Sequence, residues 1–132
     1  MPSSRYGGVY MDITTLDFQQ ARIKQILFKS QLRSVLYGVR EPTPGLFSPQ
    51  ENALAQWINA VVKPQHSNRP EMRQIEQLLG HMLETGRILV AQYQRGQIEE
   101  ARQGLGQIDR VAEQILTLLQ QLPQSASAAA RV

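Results

Sequence analysis

The chain has 132 residues, 42% hydrophobic and 19% charged, with no cysteine and a formal net charge of +3. That length suits one bundle core and is short for two ordinary domains. The lack of cysteine excludes disulfides, thiolate nucleophiles and Cys-based zinc sites, and it fits a reducing compartment.

The apolar runs, such as Ile88 to Ala91, fall far below the ~18 residues that cross a bilayer. Met1 to Tyr10 is rich in Ser, Gly and Tyr and lacks the apolar core of a signal peptide. A cytoplasmic protein without membrane insertion is the expectation. Residues 1–13 are expected to be a flexible N-terminal segment, 14–122 a single helical bundle, and 123–132 a disordered tail.

The first helix is predicted from about Thr15 to Tyr37, with Leu16, Ile23, Ile26, Leu27, Val35 and Leu36 facing inward and Gly38 at its C-terminal stop. Val39 to Phe47, with Pro42, Pro44 and Gly45, reads as a connector because proline lacks a donor and clashes with the preceding turn. Ser48-Pro49-Gln50-Glu51 then reads as a helix start: Ser48 at the N-cap, Pro49 at the first helical position, Glu51 as the capping-box acid. The second helix buries Ala53, Leu54, Trp57, Ile58, Val61 and Val62 and is predicted to stop before Pro64.

Asn68 followed by Glu71 marks the third helix start. Its buried positions are Met72, Ile75, Leu78, Leu79, Met82, Leu83, Ile88 and Leu89, and Gly96 ends it. The fourth helix carries the strongest pattern in the chain. Ile98, Ala101, Leu105, Ile108, Ala112, Ile115, Leu119 and Leu122 recur at spacings of three and four, one apolar stripe on a long helix. Gly104 and Gly106 each weaken that helix by up to ~1 kcal/mol relative to alanine, so close packing against a neighbouring helix is expected there. Pro123 closes the fold. The fold class is therefore all-α, an antiparallel four-helix bundle with a shorter second helix.

Three stretches of this pattern resemble a known family, the bacterial chemoreceptor zinc-binding (CZB) domain. Phe28-Lys29-Ser30-Gln31-Leu32 through Leu36-Tyr37-Gly38 is similar to the family's aromatic-Lys-x-Arg-Leu run ending in glycine. Asn52-Ala53-Leu54-Ala55-Gln56-Trp57-Ile58 is similar to its Cys-x-x-Gly-x-Trp-Leu segment. Pro70-Glu71-Met72 through Tyr93-Gln94-Arg95-Gly96, with Glu100-Ala101-Arg102 and Leu105, is similar to its final helical hairpin. The resemblance spans roughly Leu16 to Leu122, mostly through apolar periodicity, with Trp57 and Tyr93 to Gly96 as its more discriminating points.

The resemblance implies a zinc site built from a His on the first helix, the Cys before the Trp, and two His one turn apart on the third helix. In this chain those places hold Gln25, Asn52, Leu79 and Leu83, so the expectation is a degenerate member with no metal and no cofactor. His81 lies two residues from both Leu79 and Leu83, which turns it away from their face. His66 sits in the Pro64 to Pro70 loop. Two such histidines fall short of the three or four convergent ligands that zinc wants.

No paired carboxylates, nucleophile with a neighbouring base, or Gly-rich phosphate loop emerges, so no catalytic residues are expected and the chain is read as a non-enzyme. Arg22, Lys24, Lys29 and Arg33 lack the interleaved aromatics of a nucleic-acid surface and read as a solvated face. Phe28 and Trp57 are expected to meet in the core, with a ligand contact as the lesser alternative. Val111, Leu116 and Leu118 add apolar positions beside the main stripe of the last helix. A second seam of that kind needs a partner, and homodimerisation through the first or last helix, or pairing with a signalling protein, would supply it.

Two functions follow as expectations. The first is a sensory or regulatory bundle of bacterial signal transduction, of the chemotaxis kind the resemblance implies, acting through ligand- or partner-dependent helix packing. The alternative is a structural or adaptor protein that binds a partner helix along an apolar seam.

Overall fold

The structure, a computed structural model, describes residues 2–122, with side chains from position 17 onward. The elements are α1 (Pro2–Leu36), α2 (Ala53–Trp57), a π-helical turn (Ile58–Val62), α3 (Lys63–His66), α4 (Pro70–Gln94), α5 (Ile98–Gln103) and α6 (Leu105–Gln121). The π turn joins α2 and α3 into one short helical arm, and Gly104 joins α5 to α6. The protein is thus an all-α, four-helix bundle with a shorter second helix.

Cross-helix contacts fix the direction of packing. Gln25 reaches Ala112, Lys29 reaches Asp109, and Arg102 reaches the carbonyl of Leu36. Residue numbers on α1 rise as those on α5 and α6 fall, so the two run antiparallel. On the other side of α6, Leu89 abuts Gly104 and His81 meets Gln107, which sets α4 antiparallel to the same arm.

Both glycine stops behave as the sequence predicts. Gly38 takes φ +74° and Gly96 takes φ +88°. Gly38 N–H donates to Val35 O at 3.0 Å and Val39 N–H to Ser34 O at 2.9 Å; Gly96 and Gln97 repeat this pair of bonds onto Tyr93 and Gln92 at 3.0 and 2.9 Å. These are Schellman closures, in which a left-handed residue satisfies the last free carbonyls of a helix.

The other termini differ from expectation. α1 begins at Pro2 and not near Thr15. The sequence reading placed the start where apolar periodicity begins. The hydrogen-bond ladder needs no such periodicity, and proline is tolerated in the first helical turn. Ser48 does cap a turn, accepting from the N–H of Gln50 and Glu51 at 3.2 Å each. That turn ends at once, because Asn52 is extended (φ −63°, ψ 134°) and becomes the true N-cap of α2, its Oδ1 accepting from Leu54 and Ala55. The N-cap of α4 is Arg69 and not Asn68: as the residue before Pro70 it is held extended (φ −85°, ψ 137°), and its side chain pairs with Glu71 at 3.4 Å.

The second helical arm runs through Pro64 instead of stopping before it. Proline removes an N–H and crowds the carbonyl four residues back. The chain absorbs this by widening one turn, so that Lys63 N–H donates to Ile58 O, five residues back.

The core lies between all four helices, with Leu32, Leu36, Leu54, Ile58, Met72, Ile75, Met82, Ile108 and Ile115 fully enclosed. Each such side chain contributes about 1.5–3 kcal/mol by leaving water. The connector also enters the core. Leu46 is buried and Phe47 packs against the cluster, a contribution the sequence reading assigned to neither residue.

Candidate interaction surface

α1 presents its inner face through Ala21, Gln25, Phe28, Leu32, Val35 and Leu36, all buried. The spacing of four, three, four and three is a regular helical stripe, with a glutamine inside it. The predicted inward residues Ile23, Ile26 and Leu27 are instead 51%, 54% and 54% exposed. The reason is rotational. The stripe that includes Gln25 carries Phe28 and Leu32 with it, and those larger buried groups turn Ile23, Ile26 and Leu27 to the opposite side. Leu16 lies outside the described side chains. Ala53 and Ile88, also predicted inward, are exposed as well.

The apolar positions of the last helix resolve the other way. Val111 and Leu116 are buried and Leu118 packs against the core, so the width of that stripe is consumed within the chain. The surplus apolar face belongs to α1.

The four residues singled out by the sequence resemblance are all buried: Gln25 2%, Asn52 5%, Leu79 6% and Leu83 2% exposed. Gln25 Nε2 donates to Ala112 O at 3.0 Å, and Asn52 Nδ2 donates to Leu46 O at 2.7 Å. The two amides are therefore engaged by different backbone carbonyls, while Leu79 and Leu83 belong to the apolar core cluster. Among the described residues, no group of three or more His, Cys, Asp or Glu side chains is placed to hold a metal ion.

Phe28 pairs with Phe47 and not with Trp57. The two phenylalanine rings stand edge to face at 6.1 Å and 88°. The pair closes over Gly86 of α4, where a Cβ would lie 2.7 Å from the Phe47 ring. Trp57 is half-buried at the margin of the core. An apolar Leu46-Phe47 pair directly after a Pro-x-Pro-Gly turn was the available signal for this lid over the core.

Charges on α1 are partly occupied. Lys29 pairs with Asp109 at 3.4 Å, and Arg33 sits 5.5 Å from the Tyr37 ring centroid. Arg102 lies on the same ring at 4.1 Å and donates through Nε to Leu36 O at 2.9 Å, tying α5 to the end of α1. Burial raises the carboxyl of Asp17 above its ordinary range.

His66 is half-buried at the end of α3, and desolvation, with Arg69 nearby, lowers its pKa against a smaller opposing pull from Glu71. His81 is exposed and accepts from Gln107 Nε2 at 3.2 Å. It borders an open groove of about 670 Å³ between α4 and α6, where Leu78, Thr117 and Leu118 supply part of the wall.

No described helix is long and apolar enough to cross a membrane. No family model, no curated protein and no solved structure matches this chain.

Proposed function

We propose that this chain is a non-enzymatic regulatory bundle that works by docking another helix on the outer face of α1. The observation that supports this reading is the exposure of Ile23, Ile26 and Leu27 on one side of a helix whose other side is already buried. Adjacent exposed apolar groups of this size on one helix face mark interaction sites more often than chance surface. The kinship with CZB domains belongs to the same proposal, with Gln25, Asn52, Leu79 and Leu83 standing where the family coordinates zinc and a role in bacterial signalling carried over from it. Docking on α1 would be felt at α5 through the Arg102–Leu36 bond, which offers a route from the outer face to the far end of the bundle.

Residues kept for docking contribute little to the isolated fold, and this supplies the test. The double substitution Ile23→Glu/Leu27→Glu, unfolded by urea at high dilution and followed by Trp57 fluorescence, is expected to shift stability by less than ~0.5 kcal/mol, as exposed positions do. A loss of several kcal/mol would mean that this face belongs to the chain's own core, and the docking reading would be abandoned.

A further inference from the structure

The exposed side of α1 has the geometry of a helix-docking seam as well as its composition. Ile23, Ile26, Leu27 and Ser30 stand at i, i+3, i+4 and i+7, the corners of the hole that receives one side chain of a facing helix. All four are exposed. Ser30, Arg33, Ser34 and Tyr37 repeat that spacing one heptad on. Tyr37, just past the last helical residue, keeps the register by donating its N–H to Arg33 O at 3.0 Å. Two such holes in succession fit a helix laid along α1 better than they fit a compact ligand.

The two holes differ in chemistry. The first has three branched apolar corners. The second has the Tyr37 ring as its apolar part, with the Arg33 guanidinium 5.5 Å from the ring centroid. The small Ser30 and Ser34 let a partner backbone come close, whereas they interrupt the continuous apolar face that a bilayer surface asks for.

Charge then selects the kind of helix. The described side chains of α1 include Arg22, Lys24, Lys29 and Arg33 against Asp17 alone. Arg22, Lys29 and Arg33, seven and then four apart, run along the edge of the seam that faces α6. Lys29 is taken by Asp109 of α6 at 3.4 Å. Arg22 and Arg33 are exposed and form no ion pair with a described residue. A second copy of this face would bring further cations and, in its two holes, no carboxylate, so self-pairing leaves the edge unneutralised. A partner with carboxylates beside its apolar stripe neutralises it, as charges flanking a helical seam do when they set partner choice.

We propose that the outer face of α1 takes an acidic amphipathic helix of another protein. One large apolar side chain of that helix seats among Ile23, Ile26, Leu27 and Ser30, and its flanking carboxylates meet Arg22 and Arg33. The inference rests on the docking reading above and names the chemistry of its occupant.

Fluorescence anisotropy tests it, with the full chain titrated into two labelled three-heptad peptides. Both carry leucine at the a and d positions; one has glutamate and the other lysine at the e and g positions. The glutamate peptide is expected to bind at least about tenfold more tightly, with the preference shrinking as salt rises. Arg33→Glu should weaken that binding by about tenfold, whereas Arg73→Glu, the same charge change at an exposed position of α4, should weaken it by less than about twofold. Ile23→Ser/Leu27→Ser, which leaves the charge unchanged, should abolish binding of both peptides with helical content retained.

Equal binding of the two peptides, or an equal loss in Arg33→Glu and Arg73→Glu, overturns the acidic partner and leaves helix docking standing. Binding of the glutamate peptide that survives Ile23→Ser/Leu27→Ser also overturns it, since charge alone would then account for the contact. Binding to neither peptide overturns the proposal, and capture instead by vesicles of phosphatidylserine and phosphatidylcholine replaces the helix with a membrane surface. The docking reading itself is judged separately, by the urea unfolding of Ile23→Glu/Leu27→Glu.

Discussion

Gln25 of α1 donates its side-chain N–H to the backbone carbonyl of Ala112 on α6, 3.0 Å away and fully enclosed. This bond reaches across the bundle to a carbonyl inside a continuous helix, which is served by the helical ladder whether or not Gln25 is present.

That redundancy sets the first prediction. Gln25→Leu keeps the volume, removes a buried polar group and leaves no acceptor stranded, so its stability should lie within ~1.5 kcal/mol of the native chain. Gln25→Ala opens a cavity between α1 and α6 and should cost about 2–4 kcal/mol, as truncations of enclosed side chains of this size do. Urea unfolding of the two variants side by side separates these outcomes. An equal and large loss in both would show that the hydrogen bond itself holds the helices together.

The two glycines of the last arm were expected to share one explanation, and they do not. A Cβ on Gly104 would collide with the buried side chain of Leu89, whereas one on Gly106 meets nothing closer than the Arg110 guanidinium at 3.7 Å. Gly104→Ala should therefore destabilise by about 1–3 kcal/mol through overpacking. Gly106→Ala should stabilise by up to ~1 kcal/mol through helix propensity alone. Thermal melts of the two single variants should move in opposite directions. A gain in both would mean that Leu89 repacks freely.

Much of the bundle was legible because its signals are local. The Schellman stops at Gly38 and Gly96 depend on one residue each, and the stripe from Ile108 to Ile115 lies on α6 alone, whereas the single long last helix expected from the sequence is divided at Gly104 into α5 and α6. The rotation of α1 was not legible. Its apolar residues offer two stripes, and the correct one contains Gln25, whose burial depends on a carbonyl 87 positions away in sequence. The same limit hid the Phe28–Phe47 pair, since neither ring's neighbour is set by helix periodicity. Capping was half legible: Ser48 and Asn52 both cap, and only the extended backbone at Asn52 decides which of them starts α2. At the candidate interaction surface, Ile23, Ile26 and Leu27 were found as apolar residues and assigned to the wrong side.

The proposed kinship with CZB domains makes a demand that the native chain cannot meet but a variant can. If Gln25, Asn52, Leu79 and Leu83 stand at the family's ligand positions, then Gln25→His/Asn52→Cys/Leu79→His/Leu83→His together should create a tetrahedral site. The apo variant should be less stable than the native chain, since two imidazoles replace core leucines and the N-cap of α2 loses its amide. Zinc should then raise its melting temperature in a concentration-dependent way, and cobalt should give the intense visible bands of a tetrahedral thiolate complex. A folded variant indifferent to both metals would dismiss the kinship and leave the docking reading untouched.

Acid should weaken this fold partly through one side chain. His66 is partly withdrawn from water at the end of α3, and both its desolvation and Arg69 disfavour the imidazolium in the folded chain, so its pKa lies below the ordinary 6.5. The unfolded chain then binds the proton more readily than the folded one. Stability rises with pH where the unfolded state holds more protons, so this group's contribution is complete above the unfolded value and declines as pH falls through it toward the lowered folded value. His66→Gln removes the titration while keeping a polar group of similar reach. Melting temperatures measured from pH 7.5 down to about 5 should fall less steeply for this variant than for the native chain. Parallel curves would show that other groups carry the acid sensitivity, and a steeper fall in the variant would reverse the sign argued here.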